Sequence, residues 1–546
     1  MSGNSDPVAD HVSSTIEPDG HAARKPDSTS TGHRIAVAAA LIALGNIASR
    51  VIGQIRESVT SALFGASVSP EAGAYALAVR VPTKLYDFVV GGLIGAALVP
   101  VFAELAERDD RELGVVAGTV FSTATLVTIV AALLTWIFAP IIGTLYTLGA
   151  GPGELRDTTI TLIRWMLPAT VLMALSGLMT GLLQARHQFL LPAFATAVFN
   201  IGIIVGAWTL HGSIGVRSLA SGMILGAAFQ VLLQLPGLRG AQLRAGFHLD
   251  HPAVRRIGRL YMPVLLGLSF ALIGTAVDAG LAAGLRQGAA AIMRYATTLI
   301  QLALGIIATA VSLAALPTLA RQGAAGEDLR LYRRTLALSI KVVLLLILPA
   351  TAALAVLAQP IIVLLFQHGA FGAADTAVTA LALLFYLPSL LAAAVDQPLI
   401  FAFYARNNTL LPNLVNGAAI GTYLLVAFGT IGTLGLYGLI LANGMQWGIH
   451  ALLMLWYAHR RLDAVRGQGL MAAFGKGAIA SGGAGLAGYG VAQLLGGTAS
   501  SKIEALFLIA AVGITLGLVY GVLARMLRIE ALELLSQGVR RRFAHA

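Results

Sequence analysis

A chain of 546 residues that is 57% hydrophobic and only 11% charged, with a mean hydropathy of +0.82, is no soluble globular protein, whose charged fraction is about 25%. The net charge of +11 sits in short loops between apolar runs, which argues for anionic lipid headgroups rather than nucleic acid as the basic residues' partner. With no cysteine, disulfides, thiolate metal sites and cysteine nucleophiles are excluded, while the 61 glycines suit helices that approach closely in lipid.

Residues 1–33 are polar, rich in Ser, Asp and Pro, and read as a disordered tail; without an apolar core in the first thirty residues they are not a secretory signal. From Arg34 onward apolar runs of spanning length follow one another, a span needing about 20 residues. Fourteen are expected, with cores at 36–62, 72–103, 115–146, 158–184, 190–210, 216–236, 258–284, 288–319, 334–365, 375–404, 411–431, 435–458, 471–494 and 504–526. The second, eighth and tenth exceed a bilayer's thickness and should tilt, bend or project. Pro82, Pro263 and Pro398 are expected kinks. The pairs Gly417 with Gly421 and Gly444 with Gly448 are expected where helices pack closely.

Loop charge orients the chain. Arginines precede the first run and follow the fourth, sixth, eighth, tenth and twelfth, and Arg540–Arg542 close the chain as an expected inner-leaflet anchor. The alternate loops carry almost none, which places both termini in the cytoplasm. A repeat is also visible: Ala185-Arg186 through Leu190-Leu191-Pro192 matches Ala405-Arg406 through Leu410-Leu411-Pro412, and Val99-Pro100 resembles Leu316-Pro317 at a similar offset. The fold expected is therefore an all-α polytopic membrane protein. It would comprise an N-lobe at 34–240, a parallel-repeat C-lobe at 256–465, a helix pair at 470–527 and a basic cytoplasmic tail at 528–546.

Ionisable groups inside apolar runs cost at least about 2.5 kcal/mol each and mark interiors or watery cavities. Arg50, Arg56, Glu57, Arg80, Lys84 and Asp87 crowd into the first two runs, which points to an anion-binding cavity inside a transporter. For Arg56 and Glu57 two readings stand, a cavity role or a pair at a helix end. Asp278, deep in the seventh run, is either a cation or proton site or a structural pair with a basic group on a neighbouring helix. Arg294 lies about one turn inside the eighth run. Arg164 and Lys341 are placed near an interface, and Asp396 is a further intramembrane carboxylate. No H-E-x-x-H, G-x-S-x-G or Walker A motif occurs, Gly475-Lys476 being followed by Gly477. The chain is read as no enzyme, with no metal and no cofactor; energy would come from an ion, voltage or substrate gradient.

At Ser49-Arg50-Val51-Ile52-Gly53-Gln54-Ile55-Arg56-Glu57 the chain begins to resemble the MurJ/MviN family of lipid II flippases, within the multidrug/oligosaccharidyl-lipid/polysaccharide exporter superfamily. The likeness continues through Val99-Pro100-Val101-Phe102, Leu191-Pro192-Ala193-Phe194 with Asn200, Gln234-Leu235-Pro236, Leu365-Phe366-Gln367-His368-Gly369 and Phe403-Tyr404-Ala405-Arg406. The resemblance implies fourteen helices around a central cavity, and transfer of an undecaprenyl-diphosphate-linked peptidoglycan precursor from the inner to the outer leaflet of the bacterial plasma membrane. Arg50 and Arg56 match the family's first-helix arginines, and Arg80 matches a basic residue before Leu-Pro. Departures fall at Tyr86, Asp87 and Gly91, and at Thr297-Thr298, where the family carries charge. Lys84 and Arg294 lie one turn away on the same helix faces, so Arg50, Arg56, Arg80, Lys84 and Arg294 are the expected diphosphate contacts, with lysine unable to reproduce an arginine's fork. Expected partners are the lipid-linked glycan diphosphate, membrane lipids, a coupling ion and cell-wall synthesis proteins, with no nucleic acid. Alternatives are a flippase for another polyprenyl-linked glycan, of exopolysaccharide or O-antigen type, and a transport-inactive cell-envelope scaffold.

Overall fold

The computed structural model describes residues 28–65, 70–285, 287–323, 329–406, 408, 410–463 and 466–532. The polar tail up to residue 27 and Arg540–Arg542 lie outside them. Among the described residues there is no strand, and each of the fourteen apolar runs is a helical rod. The first is α1 (Ser28–Phe64), which begins inside the segment read as a polar tail. The second joins α2 (Pro70–Ala78), α3 (Arg80–Tyr86), two π-helical turns and α4 (Val99–Arg108). Then come α5 (Asp110–Ile137) with α6 (Ala139–Tyr146), α7 (Glu154–Ala185), α8 (Leu190–Ile214) and α9 (Arg217–Gln234). The second half runs through α10 (Pro252–Ala283), α11 (Ala289–Leu304) with a π-helical turn and α12 (Ala310–Gln322), and α13 (Leu329–Val356) with α14 (Ala358–Leu365). It continues with α15 (Ala373–Ala405), α16 (Leu410–Leu434) and α17 (Leu436–Leu462), and the rods α18 (Leu470–Leu494) and α19 (Lys502–Met526) close the fold. Among the described residues, ten helices are long and apolar enough to cross a membrane.

Proline sets the breaks. It lacks the N–H that would bond the carbonyl four residues back. The second rod loosens at Val79, three residues before Pro82, and the third breaks at Phe138, just ahead of Pro140. There Arg164 Nε donates to the carbonyl of Trp136, at 3.3 Å, and its guanidinium lies over the Trp136 ring. The ninth rod breaks at Leu357, ahead of Pro360, whereas α10 and α15 continue through Pro263 and Pro398.

These features repeat. Pro140 and Pro360, Pro168 and Pro388, and Pro192 and Pro412 are each about 220 residues apart. So are Gly215 and Gly435, which turn α8 into α9 and α16 into α17 at φ 56° and 54°. The second and eighth rods both carry π-helical turns, at Asp87–Gly91 and Gly305–Thr309. Two six-rod halves sharing several of these features follow, plus the α18–α19 pair, which packs on α13 and α14.

The glycine pairs expected to mark close packing do not. A Cβ at Gly417, Gly421 or Gly448 meets nothing within 4 Å, and at Gly444 only Ser389 N at 4.0 Å. Close packing falls instead on α8 and α9, where a Cβ on Gly202 or Gly206 would come within 2.4 Å of Gly226 or Gly222. Spacing alone does not say which face of a helix meets a neighbour.

The largest core lies where the halves meet, at the arginine-poor end, and includes Tyr75, Leu77, Tyr295, Phe366, Phe371 and Tyr386. Around it α1 is stitched to the second half. Ser58 Oγ donates to the Leu365 carbonyl, Ala370 N donates to the Ala62 carbonyl at 2.8 Å, and Tyr295 OH donates to the Gly65 carbonyl at 3.1 Å. At the opposite end the halves meet through α10, whose Arg256 reaches Glu104 of α4 at 2.7 Å and whose Tyr261 hydroxyl donates to the Phe88 carbonyl.

Candidate functional site

The ionisable residues of the first, second, seventh and eighth rods converge between the halves. At 1.5 Å per residue, Glu57 sits about 10 Å inside the end of α1 and Arg294 about 8 Å inside the start of α11. Arg294 grips Glu57 with a fork, Nε to Oε2 at 3.0 Å and Nη2 to Oε1 at 2.8 Å, and lies over the Tyr75 ring at 4.5 Å. Arg56 pairs with the same carboxylate and donates from Nη1 to Asn200 Oδ1 at 2.8 Å. Asn200 is fixed in turn by its Nδ2, which donates to the carbonyls of Thr196 and Ser49. Two arginines from opposite halves therefore share one carboxylate that is 1% exposed. The cluster keeps a net charge of +1.

A second bridge also joins the halves. Arg80 Nη1 is 2.7 Å from Asp278 Oδ2, and the Tyr423 hydroxyl of α16 donates to Asp278 Oδ1 at 2.8 Å. Asp278 is thus paired with a basic group on a neighbouring helix. Lys84 pairs with Asp87 one turn along its own rod, at 3.2 Å. Arg50, two turns before Glu57 on α1, donates from Nη1 to the Gln301 carbonyl at 2.7 Å, and its guanidinium rests on Gly305. A Cβ at Gly305 would fall within 2 Å of that guanidinium, so only glycine admits it there.

The five expected cationic contacts thus fall into four arrangements: Arg56 and Arg294 on Glu57, Arg80 on Asp278, Lys84 on Asp87, and Arg50 on the Gln301 carbonyl. Thr297 and Thr298 hydrogen-bond to carbonyls of their own helix at 2.7 and 2.9 Å and replace no cation. Glu57 pairs both with Arg56 beside it on α1 and with Arg294 of the other half. No spacing rule connects it to Arg294, which lies in the other half. Asn200 belonged to a motif already singled out, whereas Tyr75 and Tyr423 carried no signal beyond being polar in apolar runs. Elsewhere Lys341 pairs with Glu530 and Asp396 with His450. Among the described residues no three His, Asp or Glu gather as a metal site.

Such an arrangement can hold the halves together through ion pairs that an anion is able to dissolve. The sequence matches the model of the family described as lipid II flippase MurJ over residues 60–503. It is 28% identical over 431 residues to the lipid II flippase MurJ of Burkholderia cenocepacia, covering 74% of this chain and 80% of that one. It is 29% identical over 433 residues to the probable lipid II flippase MurJ of Rhizobium meliloti, with 76% and 79% covered. A solved lipid II flippase MurJ in an inward closed conformation has the same fold, at a TM-score of 0.74, 20% identity and coverage of 89% and 99%. An inward-facing multidrug transporter of the MATE family follows at a TM-score of 0.62, 16% identity and coverage of 76% and 95%. With the family model spanning most of its length, and the fourteen-rod fold shared, the chain belongs to the lipid II flippase MurJ family of multi-pass inner-membrane transporters.

Proposed function

We propose that the protein moves lipid II from the inner to the outer leaflet by rocking its two halves about a central diphosphate site, with both termini cytoplasmic. The observation that carries this reading is the pairing of Arg56 and Arg294, from opposite halves, on the single carboxylate of Glu57. A diphosphate offers more acceptor oxygens than a carboxylate and takes arginine forks equally well. Arg50 meets the headgroup first, and Arg80, Lys84, Arg56 and Arg294 turn from their carboxylates to the diphosphate as it advances. Each charge-assisted hydrogen bond is worth about 1.5–3 kcal/mol. Reversing a two-state balance from 1:99 to 99:1 takes about 5.5 kcal/mol of differential affinity. Two to four such bonds formed in one state and not the other are sufficient.

A second cargo, another polyprenyl-diphosphate glycan, is favoured by one observation: Tyr86, Asp87 and Thr298 offer no cation where the family does. The diphosphate chemistry is the same and the glycan differs. The test is complementation. A bacterium depleted of its own lipid II flippase expresses this chain, Arg50→Ala or Arg80→Ala, and outer-leaflet lipid II is measured. Restoration by the parent and loss in the variants is the expected result. A well-inserted parent that restores nothing moves the cargo to another glycan or the role to the scaffold. Variants that restore exposure fully overturn the proposed contacts.

A further inference from the structure

Asp396 lies on α15 in the interior of the second half, 0% exposed, away from the Glu57 and Asp278 bridges. Its Oδ2 is 2.7 Å from His450 Nδ1 of α17, a charge-pair distance whose angles fall outside hydrogen-bond geometry, so Oδ1, Oδ2 and Nδ1 are all buried without a hydrogen-bond partner in this arrangement. On the far side of the ring, His450 Nε2 is 3.2 Å from the Pro412 carbonyl at the start of α16. Both ring nitrogens therefore face acceptors, and a neutral imidazole donates only once. The contacts are satisfied only when the pair together holds two protons. The ring is then doubly protonated beside a carboxylate, or it keeps Nε2–H and accepts from a carboxylic acid.

Removing one of those protons leaves a net negative charge among Leu399, Ala402, Leu411, Val415 and Met454 of the same core. Among the described residues, the other cations of α15 and α17, Arg406, Arg460 and Arg461, lie at the helix ends. His450 is the charged group acting on Asp396, and Tyr404, on the same helix, is the further titratable neighbour. Of the ionisable groups on the packed helices, Lys341 and Arg333 of α13 are committed to Glu530 and Asp463, and Arg294 of α11 to Glu57. Arg321, Arg330 and Arg334 lie exposed near helix ends, and α16 carries no charged residue.

We propose that Asp396 and His450 form a proton-binding site, loaded in the closed arrangement seen here and emptied to water when the second half rearranges. The element it biases is α16. Its first turn bonds His450 through the Pro412 carbonyl, and about 16 Å along the same helix the Tyr423 hydroxyl holds Asp278 of the inter-half bridge. On emptying, the proton passes to a water molecule, His450 turns its remaining N–H to Asp396, and the Pro412 carbonyl loses its partner. The coupling to transport rests on the flippase reading above. The proton site itself does not.

The experiment uses the full chain in lipid bilayers. First, 15N-histidine solid-state NMR and the infrared carboxylic-acid band are recorded at pH 8.5, where an ordinary imidazole and carboxyl are both deprotonated. The expected result is one ring with both nitrogens protonated, or one protonated carboxyl, lost in Asp396→Asn and, independently, in His450→Gln. A neutral ring beside an ionised carboxylate in the parent overturns the site, whether or not either variant folds. Second, flipping in proteoliposomes is compared with and without an imposed pH gradient. The parent's rate should respond, and Asp396→Asn should lose the response while still binding the anionic lipid. A response kept in full by a folded Asp396→Asn overturns the coupling. A parent that flips nothing condemns the flippase reading and leaves the first result standing.

Discussion

At the scale of single residues, Glu57 decides how the arginine-poor end closes. Without its charge, Arg56 and Arg294 face each other as two cations in a buried site. Breaking such a pair costs about 3–5 kcal/mol, and an amide that keeps one hydrogen bond sits toward the lower end. Glu57→Gln is therefore expected to shift the halves apart. The chain has no cysteine of its own, so Ala62→Cys with Ala370→Cys, which flank a 2.8 Å backbone bond between the halves, reports closure by disulfide cross-linking. Unchanged cross-linking in Glu57→Gln would show that the carboxylate does not hold the closed state. Close to it, His368 lies in the turn after α14, its Nε2 3.4 Å from Ser58 Oγ. Burial, and then the positive charge of Lys502, hold its pKa below the usual 6.5. The docked turn thus prefers the neutral ring: docking is at full strength above pH 6.5 and is lost as pH falls from there toward the lowered value. Cross-linking of the same cysteine pair should decline over that window, and His368→Gln should flatten the decline. These residues were individually legible, because a charge in an apolar run stands out. Their partners were not, since pairing across the halves leaves no local spacing to read.

At the scale of elements, the turn from Leu365 to Phe371 docks onto α1 through backbone and needs glycine to do so. Gly369 has φ 60°, and a Cβ there would fall 2.1 Å from the Ala62 carbonyl oxygen. Gly369→Ala should weaken closure, by a left-handed penalty of about 1–2 kcal/mol plus the lost approach. Gly417→Ala, with open space around its Cβ, should leave both closure and stability near the parent's. Cross-linking and thermal unfolding of the two variants side by side separate a docking glycine from an outward-facing one. Equal behaviour would refute the distinction. The rods themselves were readable from apolar length, and their breaks trace to Pro82, Pro140 and Pro360. The register of one helix against another was not readable, because small residues on a lipid-facing stripe and on a packed stripe have the same sequence spacing.

At the scale of the whole molecule, two bridges act on one opening equilibrium. Arg80 with Asp278 and Tyr423 shares no hydrogen-bond partner with Glu57, Arg56 and Arg294. Mutations within one bridge remove the same interaction, so Arg80→Ala combined with Asp278→Ala should shift closure little beyond the larger single effect, once either has broken the pair. Mutations in different bridges bias the same two states independently, so Arg80→Ala and Glu57→Gln should add in free energy within about 0.3–0.5 kcal/mol. The repeat makes this reasonable in mechanical terms. Each bridge joins a rod of the first half to one of the second, so the halves separate as units or not at all. Cross-linking equilibria for the four single and double variants give both coupling energies. A cross-bridge coupling as large as the within-bridge one would mean a single shared network, and the halves would then open as one cooperative cluster rather than across two separable contacts.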